Sequence, residues 1–481
     1  MSTGSAVPDQ AAIAPGVNEE MAGPPRIDPY LATRPVEPSE RISSVDVIRG
    51  FSLMGILLMN ITAFGGPFWN YLFPLTTVKP VFHGPHWRIN TVAWFLRWVL
   101  AEGKMRALFS MLFGGGVVLL TGRAESRGAG VRTADIFTRR NMWLALFGML
   151  DCYLIWNGDI LYFYGITALI FLFPFRILKP KNLLWVGAIV LLINSAVINS
   201  GRYLGAMHTL KSAEKANAAL AAHKTLTDDQ IDALKDWKKI QDEWRPDTKK
   251  LYKDISEHQK GYFSALAADA PDGFHGETFG LYFGFGDWLG MMLLGMALFK
   301  NGFFSARLST RTYVLTTILG LGISWPVIFF GAFYAWRSHF DMFASMRGML
   351  FTYDLGRIGG ALGTAAALLL MVKAGVFRWL LARFAAVGQM AFSNYILTSL
   401  CMRFVFVWSP LHWYGYMEYY KLYIVVVCMW IVNLTFSTLW LRTYRFGPLE
   451  WCWRSLTYWK RQPMRLVGPQ PAPAQTAPAA A

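Results

Sequence analysis

The chain has 481 residues, 54% hydrophobic and 16% aromatic, with only 16% charged. A soluble domain carries about 25% charged residues, so the composition excludes an ordinary soluble enzyme. The net charge of +16 does not signal nucleic acid: Lys and Arg fall in short loops between apolar blocks, as membrane orientation requires.

Residues 1 to about 40 are rich in Pro, Ala and Gly with no apolar run, and read as a disordered tail. No basic stretch leads into a short apolar core, so no cleavable signal peptide is expected and the first span serves as an anchor. That first apolar stretch, SVDVIRGFSLMGILLMN at 44–60, carries opposite charges where lipid should begin. Asp46 and Arg49 are three apart and share a helix face, and Asn60 lies near the far end. Charge inside a span is costly and faces a partner or a cavity. Structural pairing and a direct role are both open for these residues.

Ten spans are expected, at about 46–65, 105–122, 138–156, 159–175, 183–201, 281–299, 312–335, 348–372, 385–406 and 421–441. The blocks are long enough to cross a hydrocarbon core. The fold class is therefore all-α, a polytopic transmembrane bundle with a helical external loop. Residues 89–101 suit an interfacial helix or the start of the second span. Basic residues crowd every second loop, as in Arg123–Arg140, Arg176–Lys181, Lys300–Arg311, Lys373–Arg383 and Arg442–Arg465. Those loops and both termini are assigned to the cytoplasm. Residues 202–280 form the one long loop, charged from Lys211 to Lys260 with apolar residues at helical spacing. The expected division is a tail at 1–40, a membrane half at 41–201, the external loop at 202–280, a second half at 281–457 and a Pro/Ala-rich tail at 458–481.

No Walker loop, zinc-type His pair on a helix or nucleophile elbow is present. The clustered glycines of FGGGV at 113–117 sit inside a span and suit close helix packing. Cys152, Cys401, Cys428 and Cys452 lack metal-ligand spacing and read as buried thiols, and no metal is expected. The polar candidates are few. His83 and His86, in FHGPHW, could supply a general base or merely sit in an external loop. Lys104 and Arg106 open the second span and could meet an anion or snorkel. Asp151 lies in the third span. Asp159 follows an Asn157-Gly158 turn and could be catalytic or cap the next helix. Asp287 opens the sixth span, Asp354 and Arg357 repeat the acid–base spacing in the eighth, and Asn394 and Tyr395 fall in the ninth. These charges are expected to converge on a polar cavity within the bundle.

Six stretches carry a resemblance: VDVIRGFSLMGILLMNI at 45–61, ALFSMLFGGG at 107–116, WNGDILYFYG at 156–165, LGMMLLGMALFKNGFF at 289–304, VGQMAFSNYILTSL at 387–400 and YRFGPLEWCWRSLT at 444–457. On these the chain resembles the YeiB-like family of bacterial inner-membrane proteins, whose C-terminal half is domain of unknown function 418. Family chains often carry His at the position of Asp151 and Arg at that of Gln389. The first stretch is also similar to the opening of the transmembrane acyltransferases, among them the lysosomal heparan glucosaminide N-acetyltransferase. That similarity implies acyl transfer from cytoplasmic acyl-CoA, such as acetyl-CoA, to an envelope acceptor. Asp46, Arg49 and Asn60 match its motif. The acyltransferase histidine would fall near His83 or His86, although the flanking residues differ.

The expected roles follow from this reading. His83, His86, Asp46 and Asp159 are the catalytic candidates. Arg49, Asn60, Arg106, Asp287, Asp354, Arg357 and Asn394 are the binding candidates, and the loop from Arg123 to Arg140 is placed to attract acyl-CoA. The expected partners are the bilayer, a small-molecule or glycan acceptor and, as an open alternative, a second copy of the chain. A solute transporter and a non-catalytic sensor or scaffold are the competing functions. The two Asp-x-x-Arg pairs are the one hint of an internal repeat.

Overall fold

A computed structural model describes residues 43–408 and 410–466. The expected tail at 1–40, and residues 467–481 of the C-terminal one, lie outside the described residues. The protein is an all-α multi-pass membrane bundle. Among the described residues, eight helical segments are long and apolar enough to cross a membrane.

Helix α1 (Ser43–Phe64) starts the chain's path through the bundle. A short helix α2 (Trp87–Leu100) turns sharply at Gly103 into α3 (Lys104–Ser126). The backbone of Gly103 is left-handed, with φ of 70°, a conformation that costs glycine least. Helices α4 (Arg132–Leu154) and α5 (Leu161–Phe175) form a hairpin. The first turns of α4 are charged and α5 is short, so neither matches the length and apolarity of the other eight segments, yet both pack inside the same bundle.

Helix α6 (Pro180–Ala221) runs through the membrane and on into the expected external loop without a break. At about 1.5 Å per residue it is twice as long as a bilayer requires. Helices α7 (Asp228–Trp244), α8 (Thr248–Gln259) and α9 (Tyr262–His275) complete the loop. Thr227 and Gln230 close a capping box at the start of α7, and Asp247 caps α8. Each satisfies backbone donors that the first helical turn leaves open. The second half holds α10 (Leu281–Lys300), α11 (Thr310–Arg337), α12 (Met342–Ala374), α13 (Arg378–Gln389), α14 (Ala391–Trp408) and α15 (Tyr419–Trp440). Helices α13 and α14 together occupy the expected ninth span, interrupted at Met390. A last helix, α16 (Pro448–Tyr458), lies beyond the final span, and the chain then folds back so that Arg465 bridges to Tyr444.

Burial orders these helices. The apolar window of α1 is 78% buried, against 17% for α6 and α11. Helix α1 is the central post, and α6 and α11 stand at the lipid boundary. With no hydrophobic drive between helices in lipid, close approach comes from small residues. A Cβ on Gly50 would overlap the Phe384 carbonyl oxygen, and one on Gly388 would overlap that of Asp46. Helices α1 and α13 thus cross backbone against backbone. Gly114 and Gly295 do the same for α3 and α10.

Candidate functional site

The crossing of α1 and α13 sets one wall of a cavity of about 240 Å³. It opens at the end of the bundle that carries the Arg-rich loops. Arg49, Arg123, Arg140 and Arg454 line that end, with Asp46 and Glu450 among them. Deeper in, the lining turns apolar and aromatic: Phe109, Phe113, Leu144, Phe392, and finally Tyr164 and Tyr395.

Each arginine is held differently. Arg49 pairs with Asp46 at 2.7 Å and lies 3.4 Å from the Gly388 carbonyl oxygen. Arg140 lies over the Trp453 ring with its guanidinium carbon 3.8 Å from the ring centroid, and Arg454 lies 4.6 Å over Phe446. Among the described residues neither Arg140 nor Arg454 has a carboxylate within salt-bridge distance. Burial pulls the Arg454 guanidinium below its ordinary pKa, and Arg49 adds to the effect. Four guanidinium groups crowded at one end, two of them without a carboxylate in reach among the described residues, make an anion-seeking mouth.

Glu450, on α16, does not offset them. Its carboxylate accepts from the backbone N–H of Phe392 at 2.7 Å and of Ser393 at 3.1 Å, and from the Ser393 hydroxyl. It thereby caps the restart of α14 after the Met390 break. Burial pushes its carboxyl up, and those hydrogen bonds restrain the rise. Sequence reading took Arg454 as a loop cation and passed over Glu450, since only the fold brings α16 under the bundle.

A second polar constellation lies one turn of α3 further in. Arg106 pairs with Asp287 at 2.6 Å; Arg357 pairs with Asp287 and, at 2.5 Å, with Asp354. Two acids and two bases on α3, α10 and α12 thus form a closed, neutral set. Its neighbour is the fully buried pair Arg97–Glu102 at 2.7 Å, with the Tyr71 and Tyr353 hydroxyls 3.4 and 3.5 Å from Glu102. Lys104 is buried too, donating to the Trp98 carbonyl oxygen at 3.0 Å. The one shared pocket expected for Asp46, Arg49, Asp354 and Arg357 is therefore two separate places. Asp46 and Arg49 line the cavity, while Asp354 and Arg357 are neutralised within the closed set. Tyr164 joins the two, lining the cavity and bonding Ser110 at 2.5 Å.

The remaining candidates are dispersed. Asn60 lines a second, much smaller cavity of about 20 Å³ with Trp156, Tyr395, Thr398 and Ser399. Asp159 is buried at its edge: it accepts from the Tyr162 backbone N–H at 2.8 Å, which is the expected cap, and from the Tyr395 hydroxyl at 3.3 Å. Asn394 donates to Ser437 at 2.8 Å and to the Val387 carbonyl oxygen, tying α14 to α15. His83 and His86 lie outside both cavities, and His86 faces Glu418 at 3.1 Å on the surface.

A third cluster, missed from sequence, joins the external helices to the bundle. His258 on α8 sits between the Asp254 carbonyl oxygen at 2.9 Å and the Asp269 carboxylate at 3.2 Å. Asp269 also takes Arg403 at 2.7 Å, and the Tyr414 hydroxyl donates to Asp254 at 3.0 Å beneath the stacked His258 ring. No signal in the residue order links positions 258, 269, 403 and 414.

The comparisons agree with the YeiB-like part of the resemblance. A family described as "Protein of unknown function (DUF418)" matches residues 298–460. A Bacillus subtilis protein described as "Uncharacterized protein YxaH" is 27% identical over 445 residues, spanning 90% of this chain and 98% of its own length. The Escherichia coli "Uncharacterized protein YeiB" is 28% identical over 440 residues, 89% of this chain and 98% of its own. No solved structure matches. The chain is thus similar to YxaH and YeiB along nearly its whole length.

Proposed function

For a membrane protein similar to YeiB and holding this cavity, we propose transfer of an acyl group from cytoplasmic acyl-CoA to an acceptor at the opposite face of the inner membrane. The observation that carries the reading is the polarity of the 240 Å³ cavity, with four arginines at its mouth and an apolar interior ending at Tyr395. A CoA thioester has the same polarity, phosphates at one end and a slender acyl-pantetheine arm at the other. Small-molecule sites usually enclose about 300–1,000 Å³, so this narrower one suits an extended chain with its charged head outside. The alternation of basic loops makes the arginine end cytoplasmic.

In this reading Arg140 and Arg454, which have no carboxylate partner among the described residues, take the phosphates. Phe109, Phe113 and Phe392 exclude water from the arm. Asp159, held against Tyr395, is the candidate base at the inner end. The acyl acceptor then approaches from the face of the 202–280 helices.

The test is binding and turnover of acetyl-CoA by the purified full-length chain in detergent. Saturable binding that weakens in Arg140→Gln and Arg454→Gln supports the reading, and no binding at millimolar acetyl-CoA ends it. Carriage of an anionic amphiphile is the second reading, favoured by the helix interruption at Met390 in the wall of the larger cavity. Proteoliposome uptake without acyl transfer would select it.

A further inference from the structure

Beyond Tyr395 the bundle gathers more carboxyl groups than cationic side chains. Asp151 is 1% exposed, and among the described residues neither of its carboxyl oxygens meets a donor other than the neighbouring carboxyl of Asp159. Its charged neighbours are Asp159 and Arg403. Arg403 is already engaged by Asp269 at 2.7 Å, and Asp269 by His258 at 3.2 Å. Four carboxylates, Asp151, Asp159, Asp254 and Asp269, thus face two cationic side chains, Arg403 and His258. A buried carboxylate short of donors is costly, and this one lies beside the residue that closes the inner end of the acyl cavity.

We propose that Asp151 and Asp159 together bind one cationic group, the ammonium of a primary-amine acyl acceptor, at the Tyr395 end of the cavity. The proposal rests on the acyl-transfer reading and names its acceptor class. Two carboxylates suit an ammonium, whose three N–H donors can each meet an oxygen. A hard metal ion takes six or more oxygen ligands, and no group of three ligating side chains gathers among the described residues. The chemistry closes without another reagent. The ammonium gives one proton to the carboxylate pair. The freed amine attacks the thioester carbonyl, and the C–S bond breaks as the C–N bond is made. The amine's second proton leaves with the thiolate, so the products are an amide and free CoA thiol.

The test measures the melting temperature of the purified full-length chain, without any acyl donor, in ethanolamine and in ethylene glycol at matched ionic strength. Ethanolamine should stabilise the protein saturably and ethylene glycol should not. Asp151→Asn should weaken the apparent ethanolamine affinity about tenfold or more, the loss expected when one partner of a buried charge contact is removed. Asp159→Asn serves if the first variant does not fold. Wild-type protein indifferent to ethanolamine overturns the proposal. So does an Asp151→Asn protein that is more stable and equally responsive, because the two carboxyls would then merely share a proton. Since no donor is present, failure of acetyl-CoA binding leaves this outcome separately readable.

Discussion

Trp453 grips Arg140 twice. Its indole N–H donates to the Arg140 carbonyl oxygen at 2.8 Å, and its ring lies 3.8 Å beneath the Arg140 guanidinium carbon. Helix α16, outside the spans, thereby fixes the position of a cavity arginine on α4. Trp453→Leu removes both contacts. A partly desolvated cation–π contact is worth about 0.5–2 kcal/mol, so acetyl-CoA affinity should fall up to roughly thirtyfold. Trp453→Phe, which keeps a ring, should lose less. Isothermal titration of the two variants checks the order.

The Arg106–Asp287–Arg357–Asp354 set predicts a stability effect. Removing one member strands a buried charge, at a cost of roughly 3–5 kcal/mol. Asp287→Ala should therefore reduce folded yield and melting temperature sharply. Asp287→Leu combined with Arg106→Met restores neutrality and should recover much of the loss. Fluorescence-detected size-exclusion after a heating series would separate the variants.

His258 predicts a pH effect. Both its ring nitrogens face acceptors, so the imidazolium is the form that satisfies them. Burial pulls its pKa down, but the Asp269 hydrogen bond and the charges of Asp269 and Asp254 reverse this, and the net pKa is raised. A raised folded pKa stabilises fully below the unfolded value of about 6.5, and that stabilisation is lost as pH climbs through the raised value. Docking of α8 on α9 and α14 should loosen at alkaline pH. Hydrogen exchange of residues 248–259 should show it in wild type, and the pH dependence should disappear in His258→Gln.

His83→Ala and His86→Ala should leave acetyl-CoA binding unchanged, because neither histidine lines the cavity. His86 is half exposed and its contact with Glu418 is a surface pair, worth little to stability. A large loss of turnover in His83→Ala would return the base to the external loop.

Gly388→Ala should be severe for a small change. The added methyl meets the Asp46 carbonyl oxygen and the Gly50 backbone nitrogen, neither of which can yield. Overpacking of this kind costs about 1–3 kcal/mol or more, and the separation of α1 from α13 would also displace Arg49 from the Gly388 carbonyl. Melting and acetyl-CoA affinity should fall together.

The residue order determined the membrane bundle, because apolar length and basic loops act locally and need no tertiary partner. It also located Asp46–Arg49 and Asp354–Arg357, whose i, i+3 spacing is a property of one helix. Which charges neutralise one another was left to the fold. Asp287 lies 181 residues from Arg106 and 70 from Arg357, and only the packing of α10 and α12 on α3 joins them. The arginine mouth likewise arises from crossings at Gly50 and Gly388 and from the return of α16 beneath the spans. Contacts between helices depend on which small residues let backbones touch, and a linear pattern does not carry that choice.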